Sequence, residues 1–293
     1  MTVAQSAGVS MRRMLRRPRI LCGLALVSGA GALVVWFVGL HTAAGRRLDA
    51  QALLSFTGVA PTDLTASIGG VAGLADPAPM LCGAAALVIV ALLRRRWLMA
   101  AAVPAILLAA NATTQVLKPA LAEPRVVDFG LLHQTFTASW PSGHSTAAMS
   151  LALCGVLVAG PRLRPLAALL GAAYAVAVGY SLVALGHHLP SDVFGGYLVA
   201  ATFTLLGAAA LEAAQSREPR RAPLVGPPPQ ALSAPALALG ATTLVAVMGV
   251  AILIDRPAPA LAALGHTSAV LAAVAIGALG LVLTSGFARV LDR

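Results

Sequence analysis

Long apolar runs that contain almost no charged residues dominate the sequence. Six of these runs are about 20 residues long, which is the length that an α-helix needs to cross roughly 30 Å of hydrocarbon. They cover residues 20–40, 98–117, 166–185, 193–211, 232–254 and 268–287. Two shorter runs, 78–93 and 145–160, raise the predicted number of spans to eight. The pattern predicts an all-α integral membrane protein whose first partner is the lipid bilayer.

The distribution of basic residues predicts the orientation of these spans. The chain of 293 residues has only 10% charged residues but a net charge of +10, and all its 20 basic residues except Lys118 are arginines. The arginines form short clusters between the apolar runs, a pattern that orients membrane proteins and does not indicate nucleic-acid binding. Eight spans that start inside place fifteen of the 20 basic residues on the cytoplasmic side. Both termini are therefore predicted to be cytoplasmic.

The chain divides into four predicted regions. A basic cytoplasmic N-terminus (1–19) precedes a membrane core of six spans (20–211), and a Pro/Arg-rich cytoplasmic linker (212–231) separates this core from a C-terminal pair of transmembrane helices (232–293). The external loop at 41–77 is too apolar for plain coil and is predicted to form an interfacial helix or a re-entrant segment. Trp97 and Trp140 are predicted to lie in the aromatic belts at the membrane surfaces.

Ionisable residues near the spans gather in three stretches that the predicted topology places on the external face. The stretches read KPALAEPR at 118–125, PSGH at 141–144 and HHLPSD at 187–192. An ionisable residue costs about 2.5 to 3.5 kcal/mol at the centre of a membrane helix, so a group of them indicates a functional site. Three loops from distant parts of the sequence are thus predicted to form one composite site.

Taken alone, the first two stretches offer anion binding and a proton donor. Lys118 and Arg125 supply positive charge and hydrogen-bond donors that suit phosphate oxygens. Ser142 and Gly143 allow close backbone approach just before an apolar helix, where N–H groups can bind an anion. His144 could then donate a proton to a leaving group.

The third stretch offers a nucleophile and a residue that orients it. Pro190 suits the first turn of the next helix. Asp192 follows His188 by four residues, close enough to hold one ring nitrogen of the imidazole and leave the other free to attack. For each stretch taken singly, a structural role stays open, whether as a helix cap, as interfacial histidines or as ordinary flanking cations.

Together, the three stretches resemble the signature of the type 2 phosphatidic acid phosphatase superfamily, the integral-membrane lipid phosphate phosphatases. That signature has a Lys and an Arg-Pro separated by six residues, then Pro-Ser-Gly-His, then Ser-Arg followed after five residues by His and after three more by Asp. Lys118 and Arg125 have the first spacing, and residues 141–144 match the second motif in full. Ser181, His188 and Asp192 match the third motif, which selects His188 over His187.

The resemblance implies a six-helix core formed by the first six spans, with no metal and no other cofactor. It implies that His188 is the nucleophile that forms a phosphohistidine, that Asp192 supports its imidazole, and that His144 is the general acid. The residues that it implies for binding the substrate phosphate are Lys118, Arg125, Ser142, Gly143 and Ser181.

Two positions depart from the signature. Val126 replaces the proline after Arg125, a change in loop shape with little expected effect. Leu182 stands where the third motif has an arginine. If that arginine binds phosphate, its loss removes a charge-assisted contact worth about 1.5 to 3 kcal/mol, or about 10-fold to 100-fold in affinity or rate.

The expected function is that of a lipid phosphate phosphatase in the plasma (inner) membrane, with its active site on the extracytoplasmic face. A polyprenyl diphosphate is the expected substrate, and phosphatidic acid and phosphatidylglycerol phosphate are the next candidates. Because of Leu182, two alternatives stay open: a lipid phosphotransferase on the same scaffold, and a non-catalytic membrane protein that binds lipid phosphates. No nucleic-acid partner is expected.

Overall fold

The computed structural model of the chain describes residues 3–59, 65–121, 123–128, 133–216 and 267–292. Most of the predicted linker at 212–231 and the whole predicted span at 232–254 lie outside these residues. The described part is helical apart from one β-hairpin. Its elements in chain order are α1 (Val3–Trp36), a π-helical turn (Phe37–His41), α2 (Ala43–Val59), α3 (Thr65–Gly73), α4 (Pro77–Leu93), α5 (Trp97–Ala120), β1 (Arg125–Asp128), β2 (His133–Phe136), α6 (Gly143–Val158), α7 (Arg164–Ala184), α8 (Pro190–Gln215) and α9 (Thr267–Asp292).

Five helices in the described residues are long and apolar enough to cross a membrane. They are α5, α7, α8, α9 and the stretch Pro18–His41, which combines the end of α1 with the π-helical turn. Five of the six long apolar runs are thus confirmed as candidate spans of a multi-pass membrane protein. Large apolar side chains such as Leu93 (79% exposed) and Leu108 (72% exposed) lie on the outer surface, where lipid can contact them.

The region predicted to be an external loop at 41–77 is largely helical where it is described. It contains α2 and α3, and α3 joins α4 at a bend of 45°. If α3 and α4 form one broken span, the number of candidate spans in the described residues rises to six. The bend is also the geometry of a re-entrant segment, as the sequence led us to expect for this region.

Helix α6 lies at the centre of the bundle, with most of its side chains buried against α5, α7 and α8. It corresponds to the predicted short span at 145–160, but with 16 residues it is shorter than the about 17 residues that a span needs. Small residues let its neighbours approach closely. A Cβ atom on Gly171 of α7 would lie 3.0 Å from the Cβ of Ala152, and one on Gly196 of α8 would lie 2.7 Å from the carbonyl oxygen of Ser142.

Helix α9 packs mainly along α7 and also contacts α2. The hydroxyl of Tyr180 on α7 donates to the carbonyl oxygen of Ala273, 2.6 Å away. Ile276 is fully buried, and the hydroxyls of Ser268 and Ser55 are 2.9 Å apart. The last predicted span is therefore part of the same helical bundle as the six-span core.

The four helices α5 to α8 run alternately, so α5 and α7 end at the same end of the bundle at which α6 and α8 begin. The opposite end carries arginines. Arg94, after α4, donates to the carbonyl oxygen of Val158 at the end of α6 (3.0 Å). Arg164, at the start of α7, pairs with Asp292 at the end of α9 (2.6 Å). Two of the arginine clusters, at 94–96 and 162–164, thus share one end of the bundle.

A two-stranded antiparallel hairpin is the one exception to the all-α prediction in the described residues. Strand β1 pairs with β2, and Arg125 lies opposite Phe136. The side chain of Gln134 in β2 donates to the carbonyl oxygen of Gly186 in the loop between α7 and α8 (2.9 Å). The hairpin therefore lies beside the α7–α8 loop, at the end of the bundle opposite the arginine clusters.

Trp140, which follows the hairpin, is 2% exposed. A Cβ atom on Gly195 of α8 would lie 2.5 Å from its Nε1, so the indole packs where α8 has no side chain. The prediction that Trp140 lies in an aromatic belt at the membrane surface is wrong, because the ring fills this gap inside the protein. Trp97, at the start of α5, is exposed.

Candidate active site

The three predicted stretches meet at the end of the bundle where α5 and α7 end. Lys118 lies in the last turn of α5. A Cβ atom on Gly143, the first residue of α6, would lie 3.6 Å from Nζ of Lys118. The backbone N–H of Ser142 donates to the carbonyl oxygen of Asp192 at the start of α8 (2.9 Å). Helix packing thus joins stretches that are distant in the sequence.

The PSGH stretch forms the start of α6. Ser142 is the N-cap, and its hydroxyl oxygen accepts a hydrogen bond from the N–H of Ser145 (3.3 Å). Gly143 and His144 occupy the first turn, whose N–H groups have no acceptor within the helix. These N–H groups, beside the ammonium of Lys118, can bind an anion at the positive end of the helix dipole.

The histidine loop begins at Gly186, two residues after α7 ends at Ala184. Gly186 has a φ of +70°, a left-handed conformation that glycine adopts without steric cost. The chain then folds back so that the N–H groups of His187 and His188 donate to the carbonyl oxygen of Leu182 (2.9 and 3.3 Å). Helix α8 begins at Pro190, which confirms the predicted place of this proline in the first helical turn.

His188 and Asp192 are paired as their spacing predicts. Nδ1 of His188 lies 3.3 Å from Oδ2 of Asp192, which also accepts the N–H of Leu189 (3.1 Å). An ionised carboxylate can only accept hydrogen bonds, so Nδ1 of His188 carries the proton. In the neutral imidazole this tautomer leaves the lone pair of Nε2 available, which is what a nucleophilic imidazole requires.

Arg125 lies on the other side of Asp192. Arg125 is 6% exposed. Its guanidinium donates to Oδ1 of Asp192, to Oδ2 of Asp49 (3.2 Å), and to the hydroxyls of Ser191 (3.0 Å) and Ser139 (2.6 Å). Four protein acceptors thus surround a side chain that was expected to bind phosphate. Asp192 therefore accepts hydrogen bonds from Arg125 on one side and from His188 on the other.

A family model described as the PAP2 superfamily matches residues 99–215. This segment runs from α5 to α8 and contains all three motifs. The segment 99–215 is therefore a PAP2 superfamily segment. Membership implies, as its general activity, the hydrolysis of lipid phosphates by a membrane phosphatase.

Among solved structures, the chain is similar to a crystal structure of a transmembrane PAP2 type phosphatidylglycerolphosphate phosphatase from Bacillus subtilis. The TM-score is 0.52 at 22% sequence identity, and the match covers 70% of this chain and 99% of that chain. At this identity the likeness shows a shared PAP2 fold. A search of curated proteins found no match.

Two carboxylates outside the PAP2 segment reach the motif residues, and the sequence did not single out either of them for the site. Asp49 on α2 contacts Arg125 and Ser191. Asp76, just before α4, lies with Oδ1 2.8 Å from Nε2 of His144. Both aspartates belong to the stretch 41–77, which was predicted to be an external loop. The presence of an aspartate in this largely apolar stretch is the one sequence signal that could have pointed to the site.

Asp49 is buried, and this burial raises the pKa of its carboxyl to about 6. The hydrogen bonds from Ser191 oppose this shift, the charge of Asp192 adds to it, and Arg125 lowers the pKa. In the α7–α8 loop, burial lowers the pKa of His187, and the nearby His188 and His144 lower it further. The three imidazoles therefore lie close enough to influence one another.

The remaining predicted positions of the PAP2 site are buried. The hydroxyl of Ser181 donates to the carbonyl oxygens of Ala177 and Val178 within α7 (both 2.9 Å). Leu182, where the PAP2 signature has arginine, is 1% exposed and belongs to the main hydrophobic core. Within the part of the chain that the structure describes, no three His, Cys, Asp or Glu side chains are arranged to hold a metal ion.

Proposed function

We propose that this PAP2 protein removes phosphate from a membrane lipid through a phosphohistidine on His188. The observation that carries the proposal is the chain of hydrogen bonds from Arg125 to Asp192 to His188, next to the start of α6. This arrangement holds Nδ1 of the imidazole and leaves Nε2 for attack. The same end of the bundle offers a cation in Lys118 and a proton donor in His144.

In the proposed first step, Nε2 of His188 attacks phosphorus. The N–P bond forms, the P–O bond to the lipid breaks, and His144 gives its proton to the leaving oxygen. In the second step, water attacks the phosphohistidine and gives a proton back to His144, and the N–P bond breaks to release phosphate. No step requires a metal ion.

Electrostatic stabilisation of the phosphate oxygens is assigned to Lys118 and the first turn of α6. The N–H groups of Gly143 and His144 suit this role, whereas the N–H of Ser142 is donated to Asp192. Ser142 contributes by capping α6. Arg125 and Ser181 are engaged inside the protein, so we assign them to holding the site together in the resting state.

We propose that the substrate is a polyprenyl diphosphate, with phosphatidic acid and phosphatidylglycerol phosphate as the next candidates. The last of these is the substrate class in the name of the Bacillus subtilis protein of similar fold. We further propose that the site faces the extracytoplasmic side. The arginine contacts at the opposite end of the bundle support this orientation, because basic residues favour the cytoplasmic side.

The test is release of phosphate from these three lipids in detergent by the wild type and by His188→Ala. Asp292→Asn, at the opposite end of the bundle, is the matched control. We expect release by the wild type and the control, none by His188→Ala, and an acid-labile phosphoenzyme on His188. Turnover that survives in His188→Ala would refute the assignment of His188 as the nucleophile. Faster consumption of substrate when an acceptor lipid is added, with transfer of phosphate to that lipid, would indicate a phosphotransferase.

A wild type that is folded and binds lipid phosphates without turnover would favour the non-catalytic alternative. In that case binding should survive in His188→Ala, because the positive charge of Lys118 and the N–H groups of α6 are unchanged. Loss of both binding and turnover in Lys118→Ala would support the assignment of Lys118 to the phosphate.

A further inference from the structure

Asp49 contributes to the site from α2, which precedes the PAP2 segment at 99–215. Its buried carboxylate accepts hydrogen bonds from the N–H of Ser191 (3.0 Å), the hydroxyl of Ser191 (2.5 Å) and Nη1 of Arg125 (3.2 Å). The donors lie on two different elements, α8 and β1. Asp49 is therefore the point at which α2 binds to the start of α8 and to the first residue of β1.

The contact with Ser191 has a defined role in the geometry of α8. Ser191 is the second residue of α8, so its N–H has no acceptor within the helix. Asp49 accepts this N–H and places negative charge at the positive end of the helix dipole. The next residue is Asp192, so Asp49 stabilises the helical turn that carries the partner of His188.

Close packing behind Ser191 brings α2 into this position. A Cβ atom on Gly39, in the π-helical turn, would lie 2.8 Å from Cβ of Ser191 and 3.6 Å from Oδ2 of Asp49. A larger residue at this position would push α8 and the preceding turn apart. The turn and the start of α2 are therefore built to approach the start of α8.

Arg125 is shared by two buried carboxylates. Nη1 donates to Asp49, and Nη2 donates to Asp192. The two like charges repel each other, and the guanidinium between them offsets this repulsion. Each carboxylate restricts one end of the planar guanidinium, so Asp49 determines how Arg125 meets Asp192.

We propose that Asp49 is a positioning residue of the reaction: it holds Arg125 and the start of α8 so that Asp192 keeps Nδ1 of His188 in place. In the resting state Arg125 then acts on His188 through Asp192. The proposal rests on the proposed function, since it assigns Asp49 a role in the same phosphoryl transfer. Under this proposal, α2 contributes to the active site although it lies outside the PAP2 segment.

The test is steady-state kinetics of Asp49→Asn on the lipid phosphate that the wild type hydrolyses, with Asp292→Asn as control. Asp292 also pairs with an arginine, Arg164 (2.6 Å), but at the opposite end of the bundle. We expect kcat of Asp49→Asn to fall about 10-fold to 100-fold, the effect of a hydrogen bond to a charged group. KM should stay within about two-fold, because the groups assigned to phosphate binding are unchanged.

A second variant, Ser191→Ala, removes one hydroxyl that bonds to Asp49 and leaves both charges in place. The hydroxyl donates to the carboxylate of Asp49 and accepts from the guanidinium of Arg125, so kcat should fall by about 10-fold to 100-fold, as expected for hydrogen bonds to charged groups, and KM should again stay constant. If Asp49→Asn does not fold, Ser191→Ala alone decides between the outcomes.

Three results would overturn the proposal. Unchanged kcat in both variants, with or without a lower thermal stability, would make Asp49 a purely structural residue. A lower KM or a higher kcat in Asp49→Asn would mean that Asp49 competes with the phosphate for Arg125. A wild type without turnover would overturn the proposed function and this proposal together, whereas an active wild type with unaffected variants overturns this proposal alone.

Discussion

Replacing Asp49 with asparagine is expected to stabilise the folded protein at neutral and alkaline pH. Burial raises the pKa of Asp49 from its ordinary 3.8 to about 6. A raised pKa means that the folded state favours the protonated carboxyl, so this contribution to stability is fully present below about pH 3.8 and is lost as pH rises through about 6. Asparagine stays neutral at every pH and keeps one of the two acceptor oxygens of the carboxyl group.

The magnitude follows from the two pKa values. At about 1.4 kcal/mol per pKa unit, ionised Asp49 makes the folded state less stable at pH 8, by about 3 kcal/mol, than it would be with a carboxyl that stayed protonated. At pH 5 the cost is about half of this, because the folded state is then mostly protonated. Arg125 on β1 and Asp192 on α8 are the charged groups that face Asp49, and their opposing effects are included in its pKa.

The assay is thermal unfolding in detergent, followed by circular dichroism at pH 8 and at pH 5. At pH 8, Asp49→Asn should unfold about 5 to 10 °C above the wild type, and the difference should shrink at pH 5. Asp292→Asn should change the free energy of unfolding by less than about 1 kcal/mol at both pH values, since its partner Arg164 is partly exposed and such pairs contribute little.

An Asp49→Asn variant that is less stable than the wild type at pH 8 would refute this reasoning. The carboxylate would then gain more from Arg125 and Ser191 than it loses by leaving water. A difference that does not depend on pH would also refute it. If the variant is more stable and also slower, Asp49 lowers stability to position the reacting groups, which is a common balance at active sites.

Three further predictions concern other parts of the structure. Leu182→Arg should lower the free energy of unfolding by about 3 kcal/mol or more without raising turnover, because the arginine side chain would enter the apolar core. Thermal unfolding and phosphate release check this prediction, and faster phosphate release by the variant would contradict it. Asp76→Asn should lower kcat about 10-fold, because the imidazole of His144 would lose the carboxylate that holds it. An unchanged kcat would show that Asp76 does not position His144. Gly280→Ala should destabilise the protein by about 1 to 3 kcal/mol, because its Cβ would lie 2.7 Å from a side chain of α7. Gly286→Ala on the same helix, with nothing within 4 Å, should be neutral or stabilising in the same unfolding assay.

The helices that cross the bundle could be predicted from local sequence. Helices α5, α7, α8 and α9 follow long apolar runs, and their ends agree with the predictions to within a few residues. Helix α2 could not be predicted in this way, because Arg46, Arg47 and Asp49 interrupt its apolar residues without preventing a helix. Its place against α8 depends on Gly39 and Ser191, which carry no local signal of their contact.

The pairing of His188 with Asp192 could also be predicted, because four residues across a helix start bring the two side chains together. The partners of Arg125 could not. A guanidinium near a phosphate motif suggests phosphate binding, yet four acceptors inside the protein surround it. The surroundings of Leu182 could not be predicted either, since only the packing of α7 shows that this position faces the apolar core.

The sequence by itself determined which stretches are long and apolar enough to span a membrane and which residues form the three motifs, since apolar length and motif spacing are properties of neighbouring residues. Only the tertiary structure decided which charges meet. Asp49 and Arg125 are 76 residues apart in the chain, and Asp76 and His144 are 68 apart. Ion pairs at such separations form only where helix packing brings the groups together and excludes water, so no local pattern in the sequence encodes them.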